Sequence, residues 1–150
     1  MKQKKILAVA SGGGHWVQLR RLQNAFTGQQ QIYVTVKDDY KSDVPDSAKF
    51  YTVRDATRWN KFGLIVLFFQ LFFIVIKERP DIVISTGAAP GYFALRLGRI
   101  FGAKTVWIDS IANVEKMSLS GEKISKHVEY CLTQWQHLGS QDYTFKGNCL

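Results

Sequence analysis

Cysteine is scarce in this chain of 150 residues, which contains only two. Cys131 lies in an apolar run and Cys149 lies next to the terminus, so neither belongs to a disulfide framework or to a metal-binding spacing. Internal repeats and low-complexity stretches are also absent. We therefore expect no metal site, no cofactor and a reducing, cytosolic compartment.

The standard nucleotide signatures are missing as well. Gly12, Gly13 and Gly14 do not form the G-x-G-x-x-G fingerprint, and no Gly-Lys-Ser/Thr follows to make a P-loop. The apolar run at residues 6–10 is too short for the core of a signal peptide. The net charge of +8 suits nucleic acid, an anionic membrane or a phosphorylated substrate. Because basic residues are not interleaved with aromatics, we expect no nucleic-acid partner.

The first conspicuous feature is a glycine-rich turn after an apolar run. Residues 6–10 predict a strand buried on both faces, Ser11 and three glycines follow, and His15 opens a segment of helical composition. Glycines allow a ligand to approach the backbone closely, and the N–H groups at a helix start favour an anion such as phosphate. The alternative is a tight turn that needs glycine only for its geometry.

A second segment repeats this arrangement. Residues 81–86 predict a strand, which runs into the small residues 87–91 and then a helix from about residue 92 to 101. In a parallel sheet both loops lie at the carboxyl edge, where ligands bind in open α/β folds. Here too the alternative is a plain turn, with Pro90 early in the helix.

Six predicted strands alternate with helical segments. They cover residues 6–10, 31–37, 49–53, 81–86, 104–108 and 127–133, and the polar, proline-containing residues 37–47 form a loop. This pattern predicts an α/β fold with a doubly wound, mainly parallel sheet in a single domain, residues 1–150. Residues 139–150 show no clear element, and we interpret them as a tail that orders against a partner.

Residues 62–76 are apolar on all sides except at Gly63 and Gln70. The segment is too short to span a bilayer comfortably, and basic residues with an aromatic flank it, which suits the headgroup level of an anionic membrane. A helix buried inside the domain is the alternative. The candidate membrane residues are Trp59, Lys61, Phe62, Phe68, Phe69, Phe72 and Phe73.

Four pieces of the chain resemble a known family: SGGGH at 11–15, STGAAPG at 85–91, IDSIANVEKMSLSG at 108–121 and LTQWQHL at 132–138. They are similar to the acceptor-binding, membrane-associated subunit of two-component UDP-sugar transferases. This family includes the anchoring subunit of the dolichol-pathway N-acetylglucosamine transferase and bacterial PssD-type exopolysaccharide proteins. More distantly, the chain resembles the N-terminal half of MurG-like GT-B enzymes. Asp109 stands where the family usually has glutamate, and Asn113 replaces a common arginine.

The resemblance implies a Rossmann-like N-terminal half of a GT-B glycosyltransferase, inactive alone, whose UDP-sugar-binding catalytic subunit is a separate chain. It implies a polyprenyl-diphosphate-linked sugar as acceptor, at the cytoplasmic face of the cell membrane, in exopolysaccharide or capsule repeat-unit assembly. Attachment would be peripheral or monotopic, through residues 62–76. The alternative is a membrane-recruiting scaffold that stabilises its partner without binding substrate.

Two residues are candidates for the base that deprotonates the acceptor hydroxyl. His15 is a candidate because an imidazole commonly acts as a base near neutral pH; alternatively, it bonds backbone or phosphate at the helix start. Asp109 is an alternative base, a group that orients His15, or a capping carboxylate after a strand. The candidate acceptor- and phosphate-binding residues are Ser11, Gly12, Gly13, Gly14, Gly87, Gly91 and Ser110.

Overall fold

The computed structural model describes residues 2–149, which form one seven-stranded sheet in which every neighbouring pair is parallel. The strand order is β3-β2-β1-β4-β5-β6-β7. The strands are β1 Lys5–Ala10, β2 Gln30–Thr35, β3 Lys49–Thr52, β4 Ile82–Gly87, β5 Lys104–Ile108, β6 Tyr130–Thr133 and β7 Thr144–Phe145. The doubly wound parallel sheet expected from the sequence is confirmed.

Helices cover both faces of this sheet. They are α1 Gly14–Arg21, α2 Lys61–Glu78, α3 Ala88–Ile100 and α4 Leu119–Ser125, with 3₁₀ turns at Gln23–Phe26, Asp38–Asp43 and Gln136–Leu138. Successive side chains of a strand point to opposite faces, so β1 sends Leu7 and Val9 into the core under α2, α3 and α4. It sends Ile6 and Ala8 into the core under α1.

The chain reverses its direction of travel across the sheet between β1 and β4. From β1 it moves to β2 and β3 on one side, and it then returns to place β4 on the other side of β1. The carboxyl ends of these two adjacent strands therefore form a topological switch point, where a crevice opens in folds of this kind. Both glycine loops follow these strand ends.

The C-terminal segment differs from the expectation. Residues 139–149 contain β7, which pairs with β6, and Cys149 N donates to Gln134 Oε1 at 2.8 Å. The interpretation of this segment as lacking any element is therefore wrong, because a two-residue strand gives no periodicity to detect. Its contact with a partner stays a prediction, and Met1 and Leu150 lie outside the described residues.

The sixth strand is also shorter than expected. It begins at Tyr130 and not at residue 127, because α4 ends at Ser125 and a turn occupies the residues between them. The boundaries of β5 agree with the predicted ones, and those of the other four predicted strands differ by at most two residues.

Candidate functional site

The two glycine loops are joined directly at the switch point. His15 Nδ1 lies 2.9 Å from the carbonyl oxygen of Thr86, and Thr86 Oγ1 donates to the carbonyl oxygen of His15 at 2.6 Å. A carbonyl oxygen can only accept, so Nδ1 carries the proton and Nε2 of the neutral ring is left with its lone pair. That tautomer is the one a base at Nε2 requires.

Gly87 makes the close approach of the His15 ring possible. Its φ of +144° lies in a region that disfavours side chains, and a Cβ at this position would overlap the imidazole. Gly87 in the second glycine loop therefore leaves the space that the imidazole ring of His15 occupies.

A cavity of about 720 Å³ opens above these loops. Ser11, Gly12 and Gly13 line one side, and Ala88 and Ala89 at the start of α3 line another. Neither α1 nor α3 has a side-chain cap or an acidic residue in its first turn. Gly13 N donates to the Tyr40 hydroxyl oxygen, Gly87 N donates to Ser85 Oγ, and Pro90 has no N–H. The N–H groups of Gly14 and His15 in α1 and of Ala88 and Ala89 in α3 remain for an anion.

The side chains around the cavity add positive charge. Lys37, Arg58 and Lys123 line it, against the single carboxylate of Asp55. Apolar groups line the part of the cavity next to α2 and α3: Leu64, Tyr92 and Phe93. The cavity therefore combines an anion-binding end with an apolar wall.

Not every predicted site residue reaches this cavity. Gly14 begins α1 and His15 contacts Gly87, and none of these three is among the lining residues. Gly91 is buried inside α3, where a Cβ would overlap Ser85. Ser110 Oγ accepts from Ala112 N at 3.3 Å in the turn after β5, away from the lining. Gly91 thus packs against Ser85 and Ser110 accepts a hydrogen bond within a turn, and contact of either residue with a ligand stays a prediction.

Asp109 is engaged elsewhere. Its buried carboxylate accepts from Trp107 Nε1 at 3.0 Å, from Asn113 Nδ2 at 3.0 Å, and from Ser118 N and Oγ at 2.8 and 2.5 Å. Ser118 is in turn the N-cap of α4. The expected contact that orients His15 is not formed, since the Thr86 carbonyl takes that position. With its oxygens occupied, Asp109 fixes the loop at 110–118.

Helix α2 carries two apolar stripes. Five side chains at spacings of three and four are between 38% and 69% exposed: Phe62, Ile65, Phe69, Phe73 and Ile76. The opposite stripe is buried and consists of Gly63, Leu67, Leu71 and Ile74, and the buried carboxylate of Glu78 follows it at the end of the helix. Phe68 and Phe72 pack on Phe93 and Phe101, so these two candidate membrane residues belong to the packed flank. Trp59 and Lys61 are exposed at the start of the helix.

No helix within residues 2–149 has the length and apolarity needed to cross a membrane. Two basic side chains lie next to aromatic rings at the N-terminal end of the exposed stripe of α2. The Arg58 guanidinium lies 4.8 Å from the centre of the Trp59 ring, and that of Arg54 lies 5.9 Å from the Phe62 ring.

The family model described as "Oligosaccharide biosynthesis protein Alg14 like" matches residues 48–148. This chain belongs to the Alg14-like family. The mouse (Mus musculus) "UDP-N-acetylglucosamine transferase subunit ALG14" is 27% identical over 176 residues, covering 89% of this chain and 76% of the relative. The Schizosaccharomyces pombe subunit of the same name is 27% identical over 173 residues, covering 93% and 79%.

Solved structures share the fold. Acinetobacter baumannii MurG superposes with a TM-score of 0.76 at 11% identity, over 95% of this chain and 45% of that protein. The "S. aureus MnaA-UDP co-structure" superposes with a TM-score of 0.74 at 12% identity, over 98% of this chain and 46% of that protein. The Alg14-like chain thus spans a little under half of the length of these proteins, and at this identity the likeness shows the fold alone.

The sequence analysis did not predict that side chains at 134–137 hydrogen-bond to the loop after β5, both within the part of the chain that the family model matches. Gln134 Nε2 donates to the carbonyl oxygen of Asp109 at 2.8 Å, and Trp135 Nε1 donates to that of Ile111 at 2.8 Å. His137 Nε2 lies 2.6 Å from the carbonyl oxygen of Val114. The segment at 134–137 therefore holds the loop after β5 through three backbone carbonyls, a role that its sequence alone does not reveal.

The sequence analysis also did not predict that the three basic residues Lys37, Arg58 and Lys123 line one cavity. Lys37 follows β2, Arg58 follows β3, and Lys123 is on α4, so they are far apart in the sequence. The available signal was their position beyond the carboxyl ends of parallel strands, the edge where ligands bind.

Proposed function

We propose that this Alg14-like chain is the acceptor-binding, membrane-associated subunit of a two-component UDP-sugar transferase. Its acceptor is a sugar on a polyprenyl diphosphate, and the UDP-sugar site belongs to a separate catalytic subunit. The observation that carries the proposal is the cavity at the switch point, with two uncapped helix starts and three cations beside an apolar wall.

A diphosphate suits the polar end of this cavity. Its negative charge is stabilised by the N–H groups at the starts of α1 and α3 and by Lys37, Arg58 and Lys123. The prenyl chain leaves along the apolar wall formed by Leu64 and Phe93. Since Leu64 is in the first turn of α2, that wall leads toward the exposed stripe.

The exposed stripe of α2 lies in the membrane interface. The 18 residues of the helix extend about 27 Å, so the stripe can rest along the bilayer surface. The five exposed apolar side chains of the stripe become buried in the bilayer interface. Nearby basic residues attract anionic headgroups: Arg54, Arg58, Lys61 and Lys77. Binding at the cytoplasmic face is thus peripheral or monotopic, and the acceptor reaches the cavity from the bilayer.

The chemistry requires a base for the acceptor hydroxyl. The Nε2 atom of His15 accepts the proton while the hydroxyl oxygen attacks the anomeric carbon of the UDP-sugar and UDP leaves. The Thr86 carbonyl holds the ring and stabilises the imidazolium that forms, because it keeps accepting from Nδ1. Asp109 supports the neighbouring loop and not the proton transfer.

The proposed partner follows from the names of the curated relatives, which are called transferase subunits. The carboxyl edge with the cavity faces this partner, so that donor and acceptor meet across the junction. We place the reaction in exopolysaccharide or capsule repeat-unit assembly.

Transfer of radiolabelled sugar tests the proposal. Membranes containing this chain, its candidate partner or both are supplied with a UDP-sugar panel and a synthetic lipid-diphosphate monosaccharide. Transfer only by the combination supports the proposal. Transfer by this chain alone, or by the partner alone at the full rate, contradicts it.

A further inference from the structure

The loop after β2 reaches the first glycine loop. Its 3₁₀ turn, Asp38–Asp43, brings Tyr40 over the glycines, where Gly13 N donates to the Tyr40 hydroxyl oxygen at 3.1 Å. The Tyr40 ring stacks on the Trp16 ring, with centroids 5.0 Å apart and planes 5° from parallel. Buried Trp16 is fixed in turn, since its Nε1 donates to Asp43 Oδ2 at 2.9 Å. The phenol is therefore held in one place.

The hydroxyl of Tyr40 has a hydrogen to donate. Its oxygen accepts from Gly13, and among residues 2–149 no protein group accepts the hydroxyl hydrogen. The oxygen is close to Gly12, because a Cβ built there would lie 3.5 Å from it. Gly12 and Gly13 both line the cavity, so the hydroxyl lies beside two lining residues, while Tyr40 itself is not among the lining residues.

Lys37 places a positive charge beside this hydroxyl. Its Cε would lie 3.4 Å from the same Cβ on Gly12, and its Nζ is 5.7 Å from the centre of the Tyr40 ring. Lys37 also lines the cavity. An O–H donor and an ammonium thus stand together over the first glycine loop.

We infer that Tyr40 is an acceptor-binding residue whose hydroxyl donates a hydrogen bond to a phosphate oxygen of the diphosphate, with Lys37 pairing the charge. The Gly13 N–H polarises the hydroxyl and strengthens its donation. The anion site then extends from the two helix starts to the loop after β2. This inference rests on the proposed function and names a residue of the same site.

Tyr40→Phe tests the inference, because phenylalanine keeps the ring that stacks on Trp16 and removes only the hydroxyl. Tyr130→Phe is the matched control, since Tyr130 is 51% exposed on β6. Binding of farnesyl diphosphate and of inorganic pyrophosphate is measured by calorimetry, and Tm is measured for each protein. We expect Tyr40→Phe to bind both probes about tenfold to a hundredfold more weakly at unchanged Tm, and Tyr130→Phe to bind normally.

The two probes separate the sources of the diphosphate. Tighter binding of farnesyl diphosphate than of pyrophosphate supports a lipid-linked ligand. Equal affinity of the Tyr40→Phe variant and the unaltered protein for both probes overturns the inference while leaving the proposed function in place. If the unaltered protein binds neither probe, both are overturned. Should Tyr40→Phe lower Tm, this variant and the unaltered protein are compared at a temperature at which both are fully folded; a tenfold or greater loss of affinity there supports the inference, and equal affinity overturns it.

Discussion

The imidazole Nδ1 of His15 donates to the carbonyl oxygen of Thr86 at 2.9 Å, across 71 positions of the sequence. This bond ties the loop after β1 to the end of β4, and it selects the tautomer of the candidate base. Because the ring rests against Gly87, the geometry depends on the absence of a side chain at that position.

Gly87→Ala should therefore be more damaging than an ordinary glycine substitution. The new methyl group would overlap the His15 ring at a φ of +144°, and we expect a loss of unfolding free energy of about 2 kcal/mol or more. Gly28→Ala is the matched control, because Gly28 has a φ of +79° and no neighbour within 4 Å of an added Cβ. It should lose only about 1 kcal/mol. Urea denaturation compares the two, and equal losses would show that the His15 contact is unimportant.

Asp109→Asn should destabilise the loop at 110–118. The amide would present hydrogens toward some of the donors that the carboxylate now satisfies, at Trp107 and Ser118. We expect a loss of about 1–3 kcal/mol and faster hydrogen exchange at 110–118. Asp142→Asn is the control, as Asp142 is exposed. Unchanged exchange in Asp109→Asn would contradict the anchoring role.

Glu78 should make stability depend on pH. Burial alone would raise the pKa of its carboxyl group, but hydrogen bonds from Lys49 and Tyr51 and the charges of Lys49 and Lys5 outweigh burial and lower that pKa. Because the folded-state pKa lies below the unfolded value, the stabilisation is present above the unfolded pKa of about 4.3 and is lost as pH falls through the folded one.

Urea denaturation between pH 7 and pH 3 measures this effect. The unaltered protein should lose more stability on acidification than Glu78→Gln, while Glu129→Gln, at an exposed ion pair with Lys104, should behave like the unaltered protein. Parallel pH profiles of the unaltered protein and Glu78→Gln would refute the assignment.

Removing two exposed rings of α2 should weaken membrane binding. Phe69 and Phe73 are 52% and 65% exposed, so replacing both with serine should leave the fold intact and reduce flotation with phosphatidylglycerol vesicles about tenfold or more. Val17→Ser on the opposite face of the sheet is a control for loss of an exposed apolar side chain. Unreduced flotation of the double variant would show that the stripe serves another contact.

Much of the fold could be predicted because buried parallel strands leave a strong local signal. The apolar runs of β1 and β4, each followed by glycine, were enough to place both loops at one sheet edge. For α2, an apolar sequence on all sides left burial and membrane contact open. The structure shows a buried stripe and an exposed one, and only the packing of the sheet distinguishes Leu67 from Phe69.

The polar contacts of the site could not be predicted in this way. Tyr40 reaches Gly13 over 27 positions, and Gln134 reaches Asp109 over 25. Such contacts depend on how loops from different strands meet, which hydrophobic periodicity does not encode. The sequence left three roles open for Asp109, whereas the four donors around its carboxylate show that it holds the loop after β5.

The most direct test of the account is sugar transfer by the reconstituted pair carrying His15→Asn. Asparagine can keep a hydrogen bond to the Thr86 carbonyl but has no counterpart of Nε2, and His127→Asn, at an exposed histidine, is the control. We predict that the His15 variant still assembles with the partner but transfers sugar about 10²- to 10⁴-fold more slowly, while the His127 variant is fully active. Full activity of the assembled His15 variant would contradict the account and favour a scaffold that binds no substrate.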